Sequence, residues 1–233
     1  MLNGFFLVNK PVGTSSFGVV ARVRGIIKSE TGHRTKIGHT GTLDPLASGL
    51  MILVLGSYTK RAAEFSGMDK TYEAEVTLGA TSATGDSEGP ITPFGVVPRE
   101  KPSQGDLEAV LKGFEGKISQ IPPAHSAKKI NGQRAYKLAR AGKEVKLEPK
   151  EVTIYGIRDV SYEYPLLNFT VEVSSGTYIR SLAEDIGTKL GTGAYLSALR
   201  RTSVGKYSVK DALEAEGLGL QLLTAHLKTE VAK

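Results

Sequence analysis

Two stretches of the chain alternate apolar and polar residues with period two. Tyr72, Ala74, Val76 and Leu78 interleave with Glu73, Glu75 and Thr77, and Leu167, Phe169, Val171 and Val173 repeat the pattern later. Successive side chains on a strand point to opposite sides, so each stretch predicts a strand with one covered face. Gly4 to Asn9 and Gly49 to Gly56 are unbroken apolar runs and predict buried strands. Val19, Val20, Val23, Ile26 and Ile27 fall at helical spacing, with Ser16 placed to cap the helix and Arg22 and Lys28 on its other face. Ser103 with Asp106 has the spacing of a capping box before a helix that runs through Phe114. Ser174-Ser175-Gly176 predicts a turn into a helix from about Thr177 to Leu190. Ser29 to Ser48 and Gly79 to Pro90 show no period and predict loops. The first is long enough to suggest a functional segment. Strands and helices are mixed rather than strictly alternating, which predicts an α+β domain whose sheets are covered on one face by helices. That domain is expected over residues 1–212, followed by a short tail at 213–233.

Composition narrows the class. The 233 residues are 40% hydrophobic and 23% charged, a globular balance. The longest apolar run, Leu50 to Leu55, is far short of the ~20 residues of a membrane span. The start of the chain carries no secretory pattern, so a soluble cytoplasmic protein with no membrane association is expected. With no cysteine, disulfides, thiolate nucleophiles and cysteine–zinc sites are excluded.

The net charge of +6 becomes informative once located. Ile121 to Lys150 holds Lys128, Lys129, Arg134, Lys137, Arg140, Lys143, Lys146 and Lys150 against Glu144 and Glu148, a local surplus as large as that of the whole chain. Pro122-Pro123, Gly132 and Gly142 punctuate this segment. It is either a solvated face or a clamp for backbone phosphates, which need charge and reach more than rigid geometry.

Motifs for cofactor or metal chemistry are missing. There is no phosphate-binding glycine loop ending in Lys-Ser/Thr, no G-x-G-x-x-G after a strand, and no G-x-S-x-G. His33, His39, His125 and His226 form no metal-binding pair. No cofactor and no metal are therefore expected. The remaining candidate is Gly38-His39-Thr40-Gly41-Thr42-Leu43-Asp44-Pro45-Leu46-Ala47-Ser48-Gly49. Asp44 precedes a proline, which disfavours helix there. Its carboxylate either organises a turn through its own backbone or stands at a strand mouth as a nucleophile or base. Spacing leaves both open.

This loop resembles the signature of the TruB-type pseudouridine synthases, the family that makes pseudouridine 55 in the T-loop of tRNA. Asn9-Lys10-Pro11, Lys70-Thr71-Tyr72, Thr84-Gly85-Asp86, Ile121-Pro122-Pro123 through Lys128, Tyr136 to Arg140, Gly176 to Arg180 and Leu199-Arg200-Arg201 are similar to further family motifs, in family order. They span about residues 4–212. Ser48 stands where threonine is common. Many members carry a further C-terminal RNA-binding (PUA) domain, which the short tail after Ala212 implies is missing or reduced.

The resemblance implies a mixed, mainly antiparallel sheet flanked by helices. It implies an isomerase, expected as a monomer, that breaks the N1–C1′ bond of a uridine, rotates the base and joins C5 to C1′. Asp44 is then the catalytic carboxylate, attacking C1′ or removing the C2′ proton. Arg180 would keep it ionised; the alternative is a surface arginine on a helix. Tyr72 would stack on the base, unless it is a sheet-face aromatic. His39 would help displace the base, or is a polar filler. Tyr178 and Leu199 would line the pocket, with core packing the equal alternative. Lys10 with Pro11 would brace the Asp44 loop. Asp86 would tie the RNA or a neighbouring loop. Lys128, Lys129, Arg134, Lys137 and Arg140 would belong to a basic thumb over the T stem-loop. Two other functions stand beside this one: an RNA-binding and folding module for tRNA, and the same isomerisation on another RNA.

Overall fold

A computed structural model describes residues 2–95, 101–123, 129–130, 133–134 and 147–231. The chain forms two compact units, one from Met1–Tyr72 with Arg200–Lys233 and one from Glu73–Leu199.

The first unit opens with β1 (Gly4–Lys10), α1 (Ser16–Thr31), β2 (Ile37–His39) and β3 (Ala47–Leu55). Both apolar runs are strands, and they pair antiparallel from Gly4 opposite Leu55 to Lys10 opposite Gly49. The α1 stripe is buried at Val19, Val20, Val23 and Ile27. Its cap is Ser15, whose hydroxyl accepts from Gly18 N, rather than the expected Ser16. Gly32, at φ +71, takes the left-handed conformation and closes the helix through its N–H to Lys28 O. The loop expected over Ser29 to Ser48 is therefore shorter. The helix keeps its first residues, and β2 lies antiparallel on β3 with His39 opposite Leu53. A 3₁₀ turn and α2 (Ala62–Ser66) follow.

The chain enters the second unit within β4 (Lys70–Leu78), whose burial alternates as the sequence predicts. There it forms β5 (Ala80–Ser82), β6 (Ile91–Pro93), α3 (Gln104–Lys112), β7 (Gly116–Gln120), β8 (Lys129–Ile130) and β9 (Gln133–Arg134). β10 (Lys150–Glu163), β11 (Leu166–Val173) and α4 (Ile179–Lys189) come next. The strand order in this unit is β4-β11-β10-β7, with β10 antiparallel to both neighbours. The capping box at Ser103 and Asp106 is present. α4 starts two residues later than predicted, because Gly176 at φ +86 and the Thr177 hydroxyl on Ser174 O hold those residues in the preceding turn.

The chain returns to the first unit within β12 (Ala194–Val204) and continues as β13 (Tyr207–Ser208), β14 (Leu213–Glu214) and α5 (Leu220–Ala225). β14 runs parallel to β1, and Phe5 exchanges backbone hydrogen bonds with Lys228. The core here packs Phe5, Leu7, Leu50, Ile52, Val54, Phe65, Val204 and Tyr207. Most pairings are antiparallel and helices accompany them, which is the α+β class expected. Among the described residues no helix is long and apolar enough to cross a membrane.

Candidate active site

Asp44 lies on the turn between β2 and β3, partly exposed, between the buried side chains of Leu43 and Leu46. Those two leucines anchor the turn on either side of Asp44. The turn is closed by Ala47 N donating to Asp44 O at 3.0 Å. Four further groups fix its backbone. The Ser16 hydroxyl both donates to Leu43 O and accepts from Leu43 N, each at 2.8 Å. Gly13 N donates to Pro45 O at 2.8 Å. Lys10 is 0% exposed, and its ammonium donates to Thr14 O at 2.6 Å, Pro11 O at 2.9 Å and Pro45 O at 3.4 Å. Arg201 is 2% exposed, with Nη2 donating to Gly41 O at 3.0 Å and Nε to Leu50 O at 2.7 Å. Lys10 thus occupies the bracing position expected of it. Its ammonium and the Arg201 guanidinium hold the carbonyls of Pro45 and Gly41, on either side of Asp44 along the chain.

Close approach also dictates residue type here. Gly49 has φ +104, and a Cβ on it would stand 2.2 Å from Arg201 O. Only glycine admits both that conformation and that contact. His39, at the end of β2, is partly buried. Tyr72 is buried in β4, beside Thr71, whose hydroxyl meets that of Ser203 at 2.9 Å and whose carbonyl accepts from the Thr202 hydroxyl at 3.3 Å. Asp44, His39 and Tyr72 therefore all belong to the first unit.

In the second unit, Arg180 occupies the first turn of α4 and is 6% exposed. The surface-arginine alternative does not hold. Its Nη1 lies 3.3 Å from Asp86 Oδ2 and donates to Thr84 O at 3.0 Å. Asp86, expected to meet RNA or a neighbouring loop, is 2% exposed. Its Oδ1 accepts from the Thr84 hydroxyl at 2.5 Å and from Glu88 N at 3.1 Å. It therefore serves the neighbouring loop and orients Arg180, because both carboxylate oxygens are taken inside the unit. Glu184 lies one turn further along α4. Burial, then the charge of Asp185, pushes its carboxyl above the usual range; Arg180 opposes the rise and Asp86 adds to it.

Tyr178 and Leu199 are partly buried. The Tyr178 backbone is clasped by Gln120, a residue that sequence reasoning does not single out, since a lone amide before Pro-Pro has no chemical signature. Lys129 and Arg134 pair across β8 and β9. Lys128, Lys137 and Arg140 lie outside the described residues.

Comparison with known proteins points one way. Residues 28–179 match the family model of the TruB family pseudouridylate synthase (N terminal domain), and residues 180–230 match the tRNA pseudouridylate synthase B C-terminal domain. The chain is 43% identical over 220 residues to a tRNA pseudouridine synthase B of Pseudomonas fluorescens (strain Pf0-1), covering 93% of this chain and 68% of the relative. It is 43% identical over 219 residues to one from Aquifex aeolicus (strain VF5), covering 92% and 73%. Among solved structures it resembles a chain of a Cbf5-Nop10-Gar1 complex, with TM-score 0.68 and 30% identity. It also resembles a chain of an H/ACA RNP bound to a substrate RNA containing 2′-deoxyuridine, with TM-score 0.65 and 28% identity. In each case 92% of this chain is covered, and the chain spans about half the length of the solved one, 53% and 52%.

Proposed function

The chain belongs to the TruB family of pseudouridylate synthases, and from that we propose that it isomerises uridine to pseudouridine in the T-loop of tRNA, at position 55. The observation that carries the reading is the Asp44 turn. A partly exposed carboxylate stands at a strand mouth, with two buried cations holding the flanking carbonyls. Such a frame fixes the backbone from which the Asp44 side chain departs.

The reaction is redox-neutral and balances without a co-reactant. The N1–C1′ bond breaks, the base turns, C5 bonds to C1′, the C5 proton leaves and N1 gains a proton. Positive charge at C1′ calls for a carboxylate, as it does at a glycosidic carbon. Asp44 supplies it, by bonding to C1′ or by withdrawing the C2′ proton, and both routes need the ionised form. Tyr72 offers a face for the base, which must leave its stack before it can react. His39, Tyr178, Leu199 and Arg180 are the supporting residues in this reading. The basic segment 121–150, with Lys128, Lys129, Arg134, Lys137 and Arg140, supplies phosphate contacts as a monomer engages the T stem-loop in the cytoplasm. Higher identity to the relatives named tRNA pseudouridine synthase B than to the chains of the Cbf5-Nop10-Gar1 and H/ACA RNP structures favours tRNA as the substrate.

The test is Asp44→Asn assayed by tritium release from C5-labelled uridine in a T-loop transcript. The variant should lose turnover and keep RNA binding. Substantial residual turnover would refute the assignment of Asp44. A wild-type chain that folds and binds tRNA without forming pseudouridine would support the RNA-folding role instead.

A further inference from the structure

We propose that Gln120 is a positioning residue for Tyr178 and Arg180, acting as a side-chain clasp that a neighbouring strand places on the cap residue of α4. The inference rests on the reading that these two residues serve the uridine reaction.

The first amides of a helix have no partner within it. α4 starts at Ile179, and its cap residue, Tyr178, is extended at φ −106 and ψ 111 with no cap bond from its own side chain. The last residue of β7 instead satisfies the backbone of the cap residue itself. Gln120 Oε1 accepts from Tyr178 N at 2.8 Å, and Gln120 Nε2 donates to Tyr178 O at 3.0 Å. The orientation of the amide is forced, since a backbone N–H only donates and a carbonyl only accepts. Two bonds to one residue fix the planes on both sides of it. Tyr178 O also receives Leu182 N at 3.1 Å, so one oxygen ties the strand amide to the first turn of α4.

Gln120 is 1% exposed, so water cannot replace these bonds without local opening. Neighbouring contacts hold the same turn to the same strand ends. Ser181 Oγ donates to Ile121 O at 2.9 Å. Thr153 N donates to Ser174 Oγ, and Ser174 N to Thr153 O, each at 2.8 Å. Lys150, which pairs with Gln120 across β7 and β10, reaches Ser175 O at 3.5 Å. These straps set the frame of the turn, and Gln120 sets the residue from which the Tyr178 ring departs and Arg180 is counted. Small displacements of positioned groups are costly: a ~1 Å error can lower turnover ~10²-fold.

Gln120→Glu distinguishes positioning from mere structural support. A neutral glutamic acid can still donate to Tyr178 O and accept from Tyr178 N. A carboxylate cannot donate, and it sets an oxygen against that carbonyl. Burial favours the neutral form, so lowering the pH restores the clasp. At about pH 8 the variant should show kcat lowered about 10²-fold with KM within a few-fold of wild type. The ratio of its kcat to that of wild type should climb as the pH falls toward about 5.5. Gln120→Met, similar in length and unable to make either bond, should show a comparable loss of kcat with a ratio that stays flat across pH. Melting curves of both establish that they are folded. A wild-type kcat in either variant overturns the proposal, as does a pH-independent ratio for Gln120→Glu. Failure of both to fold overturns it in favour of a purely structural role. If wild type itself forms no pseudouridine on a T-loop transcript, the functional reading falls first, and that outcome is visible before any variant is measured.

Discussion

Ser16→Ala isolates the brace beneath the Asp44 turn. The Ser16 hydroxyl makes two hydrogen bonds to Leu43, one to its N–H and one to its carbonyl, both at 2.8 Å and both buried. Alanine removes only the oxygen. The cap of α1 stays, because Ser15 makes it. Two buried backbone groups of Leu43 then lose their partner. A hydrogen bond contributes about 1 kcal/mol net, and a buried group left unsatisfied costs about 1–3 kcal/mol. The loss should therefore be about 2–4 kcal/mol, offset by at most about 0.5 kcal/mol from the better helix propensity of alanine. At this chain length each kcal/mol moves the thermal midpoint by about 2–4 °C, so a fall of about 5–15 °C is expected. Leu43 directly precedes Asp44, so the carboxylate is displaced too, and kcat/KM for uridine isomerisation should fall about 10–100-fold. Ser15→Ala is the control. It should cost about 1 kcal/mol through the lost cap and leave the kinetics alone. The reasoning fails if Ser16→Ala melts and turns over like wild type, or if Ser15→Ala loses as much kcat/KM.

The raised Glu184 carboxyl means that the folded chain keeps a proton over a pH range in which the unfolded chain has lost it, so stability falls as pH rises through that range. Glu184→Gln should match wild type below the range and exceed it above; a denaturation series giving a pH-independent difference would refute this. Charge reversal of Lys128 and Lys129 together should weaken tRNA binding. It should also flatten the plot of log affinity against log salt by about 0.7–0.9 for each phosphate no longer neutralised. An unchanged slope would remove the clamp role.

Much of the frame is readable because periodicity reports burial directly. β4 alternates as Tyr72, Ala74, Val76 and Leu78 predict, and α1 buries the valines and isoleucine that mark its stripe. The long β10 is hidden for the same reason. Its exposure is irregular after Ile154, with bulges between Ile154 and Gly156 and between Arg158 and Ser161, so no period of two survives. Sequence places the cap of α1 one residue too late, because Ser15 and Ser16 are equivalent on paper. Only the fold shows that the second is already committed to Leu43. The charged loop residues are legible as candidates, and Asp86 changes meaning once its burial against Arg180 is known.

The illegible remainder has a common physical form. The irregular turns that carry the candidate chemistry have carbonyls with no strand partner, and a buried carbonyl must find a donor. Here the donors are long side chains from distant parts of the chain: Lys10 on Pro45, Arg201 on Gly41, Arg180 on Thr84 and Gln120 on Tyr178. A donor that grips a main-chain oxygen is indifferent to the side chain beside it. The backbone of the turn can therefore be held rigid whatever side chain it carries. The same indifference erases the sequence signal, since no local spacing links a lysine at position 10 to a proline at position 45. Bracing through carbonyls makes it possible to place a reactive carboxylate on a loop with the precision of a strand. Variants of the braces should then depress turnover more than they depress binding, because they move the reacting group and leave the phosphate contacts where they were.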